Sequence, residues 1–294
     1  MKLAAAALAG ALLLGACSSA AEPADPAADA ADLLPGPSYE KYVALGDSFT
    51  AAPLVPTTDL ADGCLRSDGN YPSLVAAELD VAELVDVSCS GADTRDLQRR
   101  QRTVGDATVP PQLRALDRDT DLVTLGIGGN DFDLFATLVQ TCSSLGADDP
   151  AGSPCATELE GRGVDLVART ERIGARVESA VERIRRRAPE ADVVLVGYPR
   201  IAPESGRCQA LPFAEGDYAF GAEVSRALNA ALEDAAGRAG AGFVDMHAAS
   251  EGHDVCSDDA WVNGHRTVRG EALAFHPFAA GMEAVAAEVI ATLG

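Results

Sequence analysis

The sequence predicts an α/β domain built around a parallel sheet of five strands. Five short aliphatic or β-branched runs carry the strand prediction, and they span residues 42–47, 84–89, 122–127, 192–197 and 242–245. The run 193–196 is apolar throughout, which is typical of a strand covered on both faces. Helical patterns separate the runs, and strands that alternate with helices form parallel sheets with right-handed crossovers.

Four helices are predicted, over residues 71–79, 163–187, 217–239 and 278–293. In the second helix, Val177, Val181 and Ile184 fall on one apolar stripe, whereas Glu and Arg occupy other positions. Such a stripe packs against a sheet, so the helices are expected to cover it. In parallel sheets of this kind, ligands bind beyond the carboxyl ends of the strands.

Three long segments are predicted to be loops over that carboxyl edge, namely residues 51–69, 141–163 and 200–216. They are rich in Pro, Gly and Asp, and each contains a cysteine. Loops of this length are usually functional or disordered. The cysteines favour the first alternative, because a disulfide would hold each loop in place.

The composition excludes several function classes. The formal charge of −22 argues against nucleic-acid binding and against attachment to anionic lipid through basic residues. No His, Cys, Asp or Glu spacing resembles a metal site, and no cofactor is expected. The glycines of segment 126–129 lack both the Lys-Ser/Thr of a phosphate-binding P-loop and the full dinucleotide fingerprint.

The N-terminus has the pattern of an export signal. Lys2 precedes an apolar stretch over residues 3–16 that is too short to span a bilayer as a helix. Leu14-Gly15-Ala16-Cys17 resembles a bacterial lipobox, which predicts a signal peptide over residues 1–16 and a lipidated Cys17. The alternative is an ordinary signal peptide cleaved nearby. Residues 17–40, rich in Ala, Pro and acidic side chains, are predicted to be a disordered tether to a folded domain over residues 41–294.

The cysteine count fits an exported protein. Seven cysteines leave six when Cys17 carries lipid, and six allow 15 pairings. None of them has C-x-x-C spacing, so disulfides are favoured over zinc or redox chemistry. The six are Cys64, Cys89, Cys142, Cys155, Cys208 and Cys256.

Candidate catalytic residues follow the predicted strands. Ser48 directly follows the first strand, and a serine hydroxyl becomes a good nucleophile when a base takes its proton. His276 is the candidate base, because Pro277 holds it on a loop before the last helix. The backbone N–H groups of Ser48 and Gly91 and the side-chain amide of Asn130 are candidate oxyanion donors.

Other polar residues near these positions have simpler interpretations. Asp47 and Asp131 each adjoin a turn, and we expect them to stabilise turns through backbone hydrogen bonds rather than to act as a carboxylate pair. His247, His253 and His265 are expected to be structural or to line a pocket.

The candidate catalytic residues lie in four blocks that resemble a known superfamily. The blocks Gly46-Asp47-Ser48-Phe49, Gly91, Gly128-Gly129-Asn130-Asp131 and His276-Pro277 are similar to those of the SGNH hydrolases, the GDSL-like lipases and esterases. They occur in the family order and span most of the folded chain. The six cysteines and segments 252–256 and 261–264 resemble, more narrowly, the secreted actinobacterial lipase/esterase branch.

The resemblance implies a fold, a disulfide pairing and a set of roles. The fold is a three-layer α/β/α flavodoxin-like sandwich with a central parallel five-stranded sheet. The implied roles are Ser48 as nucleophile, Gly91 and Asn130 as oxyanion donors, and His276 as base. The implied disulfides are Cys64–Cys89, Cys142–Cys155 and Cys208–Cys256.

One position departs from the superfamily pattern. Most members carry an Asp three residues before the His, but here that residue is Leu273. The actinobacterial branch uses a backbone carbonyl instead, so we expect a Ser–His dyad in which the Leu273 carbonyl orients the ring. A true triad would need Glu271, Asp258 or Asp259.

The resulting functional prediction is an exported serine esterase or lipase that cleaves carboxylic esters through an acyl-enzyme. Its expected partners are an ester or lipid substrate and, through the lipid anchor, the outer face of the cell membrane. The protein is expected to be a monomer and not to bind nucleic acid. A phospholipase, an acyltransferase or a polysaccharide deacetylase would use the same motifs, and a non-catalytic ligand-binding lipoprotein is a further alternative.

Overall fold

The computed structural model describes residues 38–294. The predicted signal peptide, Cys17 and nearly all of the predicted tether lie outside these residues. None of the helices in the described range is both long and apolar enough to cross a membrane.

The strands form one parallel sheet and one short hairpin. In chain order the strands are β1 (Lys41–Gly46), β2 (Glu83–Asp86), β3 (Gln101–Arg102), β4 (Thr108–Val109), β5 (Leu122–Gly126), β6 (Asp192–Val196) and β7 (Gly242–Val244). The main sheet has the order β2-β1-β5-β6-β7, and all of its pairs are parallel. This confirms the predicted five-stranded parallel sheet. The antiparallel β3–β4 hairpin was not predicted.

The helices include the four that the sequence predicts. The α-helices are α1 (Ser48–Ala51), α2 (Tyr71–Glu78), α3 (Leu134–Leu145), α4 (Pro154–Gly161), α5 (Leu166–Arg187), α6 (Glu215–Ala239), α7 (Met246–Ala249) and α8 (Ala279–Leu293). Short 3-10 turns occur at Val104–Asp106, Gln112–Ala115 and Asp131–Asp133. The predicted helices correspond to α2, α5, α6 and α8.

The sheet is covered on both faces, as its apolar strands require. Successive side chains of a strand point to opposite faces. Val43 and Leu45 accordingly belong to a buried cluster with α5 and α6. Tyr42 and Ala44 belong to a second cluster with α2 and α8. The three-layer α/β/α sandwich is therefore confirmed.

The prediction of a loop over residues 141–163 is wrong, because α3 extends into this segment and α4 lies within it. The start of α4 is capped by Asp217 of α6, whose buried carboxylate accepts hydrogen bonds from the N–H groups of Cys155 and Ala156 at 3.0 Å each. A cap supplied by a residue so far away leaves no local signal in the sequence.

Three disulfides hold the connecting segments. They are Cys64–Cys89, Cys142–Cys155 and Cys208–Cys256, which is the pairing implied by the resemblance. The first joins the long segment after α1 to the chain just before Gly91. The third joins the segment between β6 and α6 to the region that precedes His276. Both therefore restrain loops at the carboxyl edge of the sheet.

Candidate active site

Ser48 lies at the carboxyl end of β1, as the first residue of α1. Asp47 caps this helix by accepting a hydrogen bond from the N–H of Phe49 at 2.9 Å. The tight turn requires Gly46, because a Cβ there would lie 2.1 Å from Thr50 Oγ1. The strand therefore ends abruptly and leaves Ser48 at the sheet edge, 9% exposed.

One cavity brings together three of the four predicted catalytic positions. It has a volume of about 180 Å³, and its lining includes Ser48, Asn130 and His276. The rest of the lining is mainly apolar and includes Phe49, Phe135, Val139 and Ile201. We call this space the apolar cavity. The ring of Phe49, next to Ser48 in the chain, lies 5.3 Å from the His276 ring between centroids.

Gly91 lines a second, adjacent cavity of about 460 Å³. Asn130 lines both cavities: it shares one with Gly91 and the other with Ser48 and His276. Gly91 has a φ of 78°, which a glycine adopts without strain. No atom lies closer than 4.0 Å to the place where its Cβ would be, so its backbone is open to a ligand.

The three candidate oxyanion donors have hydrogen-bonding capacity to spare. Within residues 38–294, the N–H groups of Ser48 and Gly91 donate to no protein acceptor. The Asn130 side-chain nitrogen donates one hydrogen to the Ala92 carbonyl at 2.9 Å, which fixes the amide and leaves its second hydrogen free. Such fixed donors can stabilise negative charge that develops on a carbonyl oxygen.

The carbonyl that contacts the His276 ring belongs to Ala274, and the prediction of Leu273 is wrong. His276 Nδ1 lies 2.7 Å from the Ala274 oxygen. The Leu273 carbonyl instead accepts from the backbone N–H of His276 at 3.2 Å, which closes a turn. Phe275 takes a φ of 59° in this turn. The Leu273 carbonyl thus meets the backbone N–H of His276, whereas the Ala274 carbonyl meets its ring.

The surroundings of His276 suit a general base. Burial lowers the pKa of the ring below its usual 6.5, and the hydrogen bond to the Ala274 carbonyl opposes this in part. The ring is therefore neutral at pH 7. With Nδ1–H donated to the carbonyl, the lone pair lies on Nε2.

Residues 38–294 place no carboxylate within 4.0 Å of the His276 ring nitrogens. Asp259, one of the triad alternatives, lies beside His253 instead, with its Oδ2 3.3 Å from Nδ1 of that ring. Ser48 Oγ forms no hydrogen bond to His276 in this structure. Such catalytic contacts often shorten only when the substrate binds.

Tyr198 connects two of the loops that carry candidate catalytic residues, and the sequence analysis missed it. Its buried hydroxyl donates to Asp47 Oδ2 and accepts from the N–H of Gly129 at 2.9 Å. It therefore joins the loop of Ser48 to the loop of Asn130. The signal that could have revealed it is its position, since Tyr198 follows a predicted strand just as Ser48 does.

Burial raises the pKa of Asp47 to about 7, although the hydrogen bonds from Tyr198 and Phe49 oppose this and the nearby Asp131 adds to it. Asp47 also caps its own turn, as the sequence predicts.

Asp131 does not act within its own turn: it accepts hydrogen bonds from Thr94 and pairs with Arg176 at 2.7 Å. This fully buried carboxylate therefore ties the loop of Asn130 to the loop of Gly91.

Asn263 holds the loop that carries His276. Its side-chain nitrogen lies within hydrogen-bonding distance of the carbonyls of Arg266, Ala272 and Leu273, at 2.7, 3.2 and 2.9 Å. Its backbone N–H donates to the His276 carbonyl at 2.9 Å. The remaining histidines, His247, His253 and His265, do not line the apolar cavity.

A parallel α/β sandwich that gathers a hydroxyl, an imidazole and spare N–H donors at one sheet edge is equipped for ester hydrolysis. The model of the GDSL-like lipase/acylhydrolase family matches residues 44–284, and the chain belongs to this family. It is a carboxylic ester hydrolase.

Relatives from Streptomyces support this assignment and confirm the resemblance to the actinobacterial branch. Lipase 2 of Streptomyces coelicolor is 37% identical over 264 residues, which cover 86% of this chain and 85% of the relative. An esterase of Streptomyces scabiei is 33% identical and covers 84% of this chain and 80% of its own length.

Solved structures show the same fold. Phospholipase A1 from Streptomyces albidoflavus superposes with a TM-score of 0.72 at 30% identity, covering 87% of this chain and all of the other. The extracellular lipase from Streptomyces rimosus gives a TM-score of 0.71 at 29% identity, covering 86% and 99%.

Proposed function

We propose that the protein is an exported serine esterase that works through a Ser48–His276 dyad. The observation that carries the proposal is the apolar cavity, whose lining includes Ser48, His276 and Asn130. No carboxylate partner for the ring is found in the described part of the chain, which favours a dyad oriented by the Ala274 carbonyl over a triad.

The reaction proceeds in two halves. Ser48 Oγ attacks the ester carbonyl carbon while His276 Nε2 takes its proton, and the carbonyl oxygen becomes an oxyanion. The N–H groups of Ser48 and Gly91 and the Asn130 amide stabilise this charge. The C–O bond to the alcohol then breaks, and His276 returns the proton to the leaving oxygen, which gives an acyl-enzyme.

Water completes the cycle. His276 takes a proton from a water molecule as its oxygen attacks the acyl carbon, and a second oxyanion forms in the same position. The bond to Ser48 Oγ breaks, the proton returns to Ser48, and the carboxylic acid leaves. The apolar cavity of about 180 Å³ resembles in size one of about 150 Å³ that binds benzene, so it accommodates an acyl group of roughly six carbons.

Active-site labelling tests the dyad. A fluorophosphonate should label the wild-type protein at Ser48, and both Ser48→Ala and His276→Ala should abolish labelling and reduce ester turnover by more than about 10³-fold. His247→Gln, at a histidine outside the cavity, is the matched control and should label normally. Labelling at another serine, or full activity of Ser48→Ala, would refute the assignment.

Export and anchoring form the second part of the proposal. The pattern of residues 1–17 and the extracellular lipase among the similar structures support export. Lipidation of Cys17 would hold the enzyme at the outer face of the membrane. Mass spectrometry of the mature protein tests this: diacylglycerol on an N-terminal Cys17 is expected, and an unmodified N-terminus elsewhere would remove the anchor.

A further inference from the structure

The second cavity differs in chemistry from the apolar one. Its lining includes two arginines and two aspartates, Arg95, Arg176, Asp93 and Asp133, in addition to Gly91 and Asn130. We call it the polar cavity. It meets the apolar cavity at Asn130 and Ala136, which line both.

An ester carbonyl held by Asn130 would therefore have one cavity on each side. An acyl chain is apolar and gains free energy by leaving water, so it belongs in the apolar cavity beside Phe135 and Val139. The polar cavity is left for the alcohol part of the ester, because a substrate bridging Asn130 extends to both sides.

The charges of the polar cavity decide which alcohol fits. Arg95 pairs with Asp93, and Arg176 pairs with the buried Asp131, so both arginines are already neutralised by carboxylates. Asp133 is exposed, and its carboxylate has no protein partner within residues 38–294. Two arginines against three aspartates leave an excess of negative charge, so the cavity does not select an anion, and its ion pairs do not favour an alkyl group.

We propose that the polar cavity is a subsite for a hydroxyl-rich leaving alcohol, with Asp133 accepting and Arg95 donating hydrogen bonds to its free hydroxyls. The inference rests on the proposed function and extends it to the substrate class. It predicts a preference for esters of alcohols that keep free hydroxyl groups over esters of alkyl alcohols.

Two butyrate esters with the same carbon skeleton test the subsite. Glycerol 1-butyrate and propyl butyrate differ only in two hydroxyls, and both acyl groups fit the apolar cavity. Asp133→Gly removes the carboxylate and tolerates the φ of 55° at this position, and Arg95→Met removes the guanidinium. Each should lower kcat/KM for glycerol 1-butyrate by about tenfold and that for propyl butyrate by less than about twofold.

The matched controls are Asp106→Gly and Arg102→Met. Asp106 also has a positive φ, and it forms an exposed ion pair with Arg102 outside both cavities. These variants should affect neither ester. Equal losses for the two esters, or no loss for glycerol 1-butyrate in Asp133→Gly and Arg95→Met, would overturn the subsite. A wild-type enzyme that hydrolyses neither ester would overturn the proposed function as well.

Discussion

The hydroxyl of Tyr198 joins the two loops that carry Ser48 and Asn130, so its removal should disturb the positions of both residues. Tyr198→Phe removes the bond donated to Asp47 and the bond accepted from Gly129, and changes little else in shape. We expect it to lower kcat more than it raises KM, since Tyr198 does not line the apolar cavity and acts through the residues it holds.

The magnitudes follow from the groups left without partners. The Gly129 N–H and the Asp47 carboxylate are both buried beside Tyr198, and leaving such groups unpaired costs about 1–3 kcal/mol each. The free energy of unfolding should therefore fall by roughly 2–6 kcal/mol. Complete loss of an oxyanion donor typically costs about 10²–10³ in rate, so partial misalignment of Ser48 and Asn130 should lower kcat by about tenfold.

The assay separates positioning from stability by means of a matched variant. The buried Tyr218 hydroxyl also makes two hydrogen bonds, donating to the Leu211 carbonyl and accepting from the Cys208 N–H, but Tyr218 does not line the apolar cavity. Tyr218→Phe should lose similar stability in urea unfolding and keep its kcat for a butyrate ester. Tyr198→Phe should lose both stability in urea unfolding and kcat.

A second readout is specific to the positioning role. The Tyr198 hydrogen bond lowers the pKa of Asp47, so Tyr198→Phe should raise that pKa further above its value of about 7. The reasoning would be refuted by a folded Tyr198→Phe enzyme with wild-type kcat, or by equal losses of kcat in the two tyrosine variants.

Two further predictions concern pH. Because burial lowers the pKa of His276 and the base must be neutral, kcat/KM should fall on the acid side with a midpoint below 6.5; a midpoint above 6.5 in a pH–rate profile would contradict this. The folded-state pKa of Asp47 is raised from 3.8 to about 7, so the folded protein binds this proton more tightly than the unfolded chain does. The protein therefore loses stability as the pH rises from 3.8 to about 7. Asp47→Asn should remove this loss, so that urea unfolding at pH 5 and pH 8 shows the wild-type protein losing roughly 2–3 kcal/mol more than the variant. Parallel pH dependences of the two proteins would show that Asp47 is not the titrating group.

Much of the fold could be read from the sequence because its signals are local. The continuous apolar runs gave the five strands of the parallel sheet, and the apolar stripe through Val177 and Ile184 gave α5. The helix α4 could not be predicted from the sequence, because Asp217, which caps its start, lies far away in the chain.

In the site, too, the features that could be predicted from the sequence are the local ones. The serine, the histidine and the Gly-Gly-Asn-Asp turn were visible as chemistry-bearing residues next to predicted strand ends, and a parallel sheet places such ends on one edge. Their catalytic roles stay a prediction.

The sequence by itself determined the five strands of the parallel sheet, the helices α2, α5, α6 and α8, and the residue types available at the sheet edge, since these depend on neighbouring residues. The tertiary structure alone decided that Ala274 and not Leu273 contacts the imidazole, that Tyr198 joins two loops, and that one cavity is apolar and the next polar. These features depend on backbone direction in a turn and on contacts between residues far apart in the chain, and neither has a local pattern.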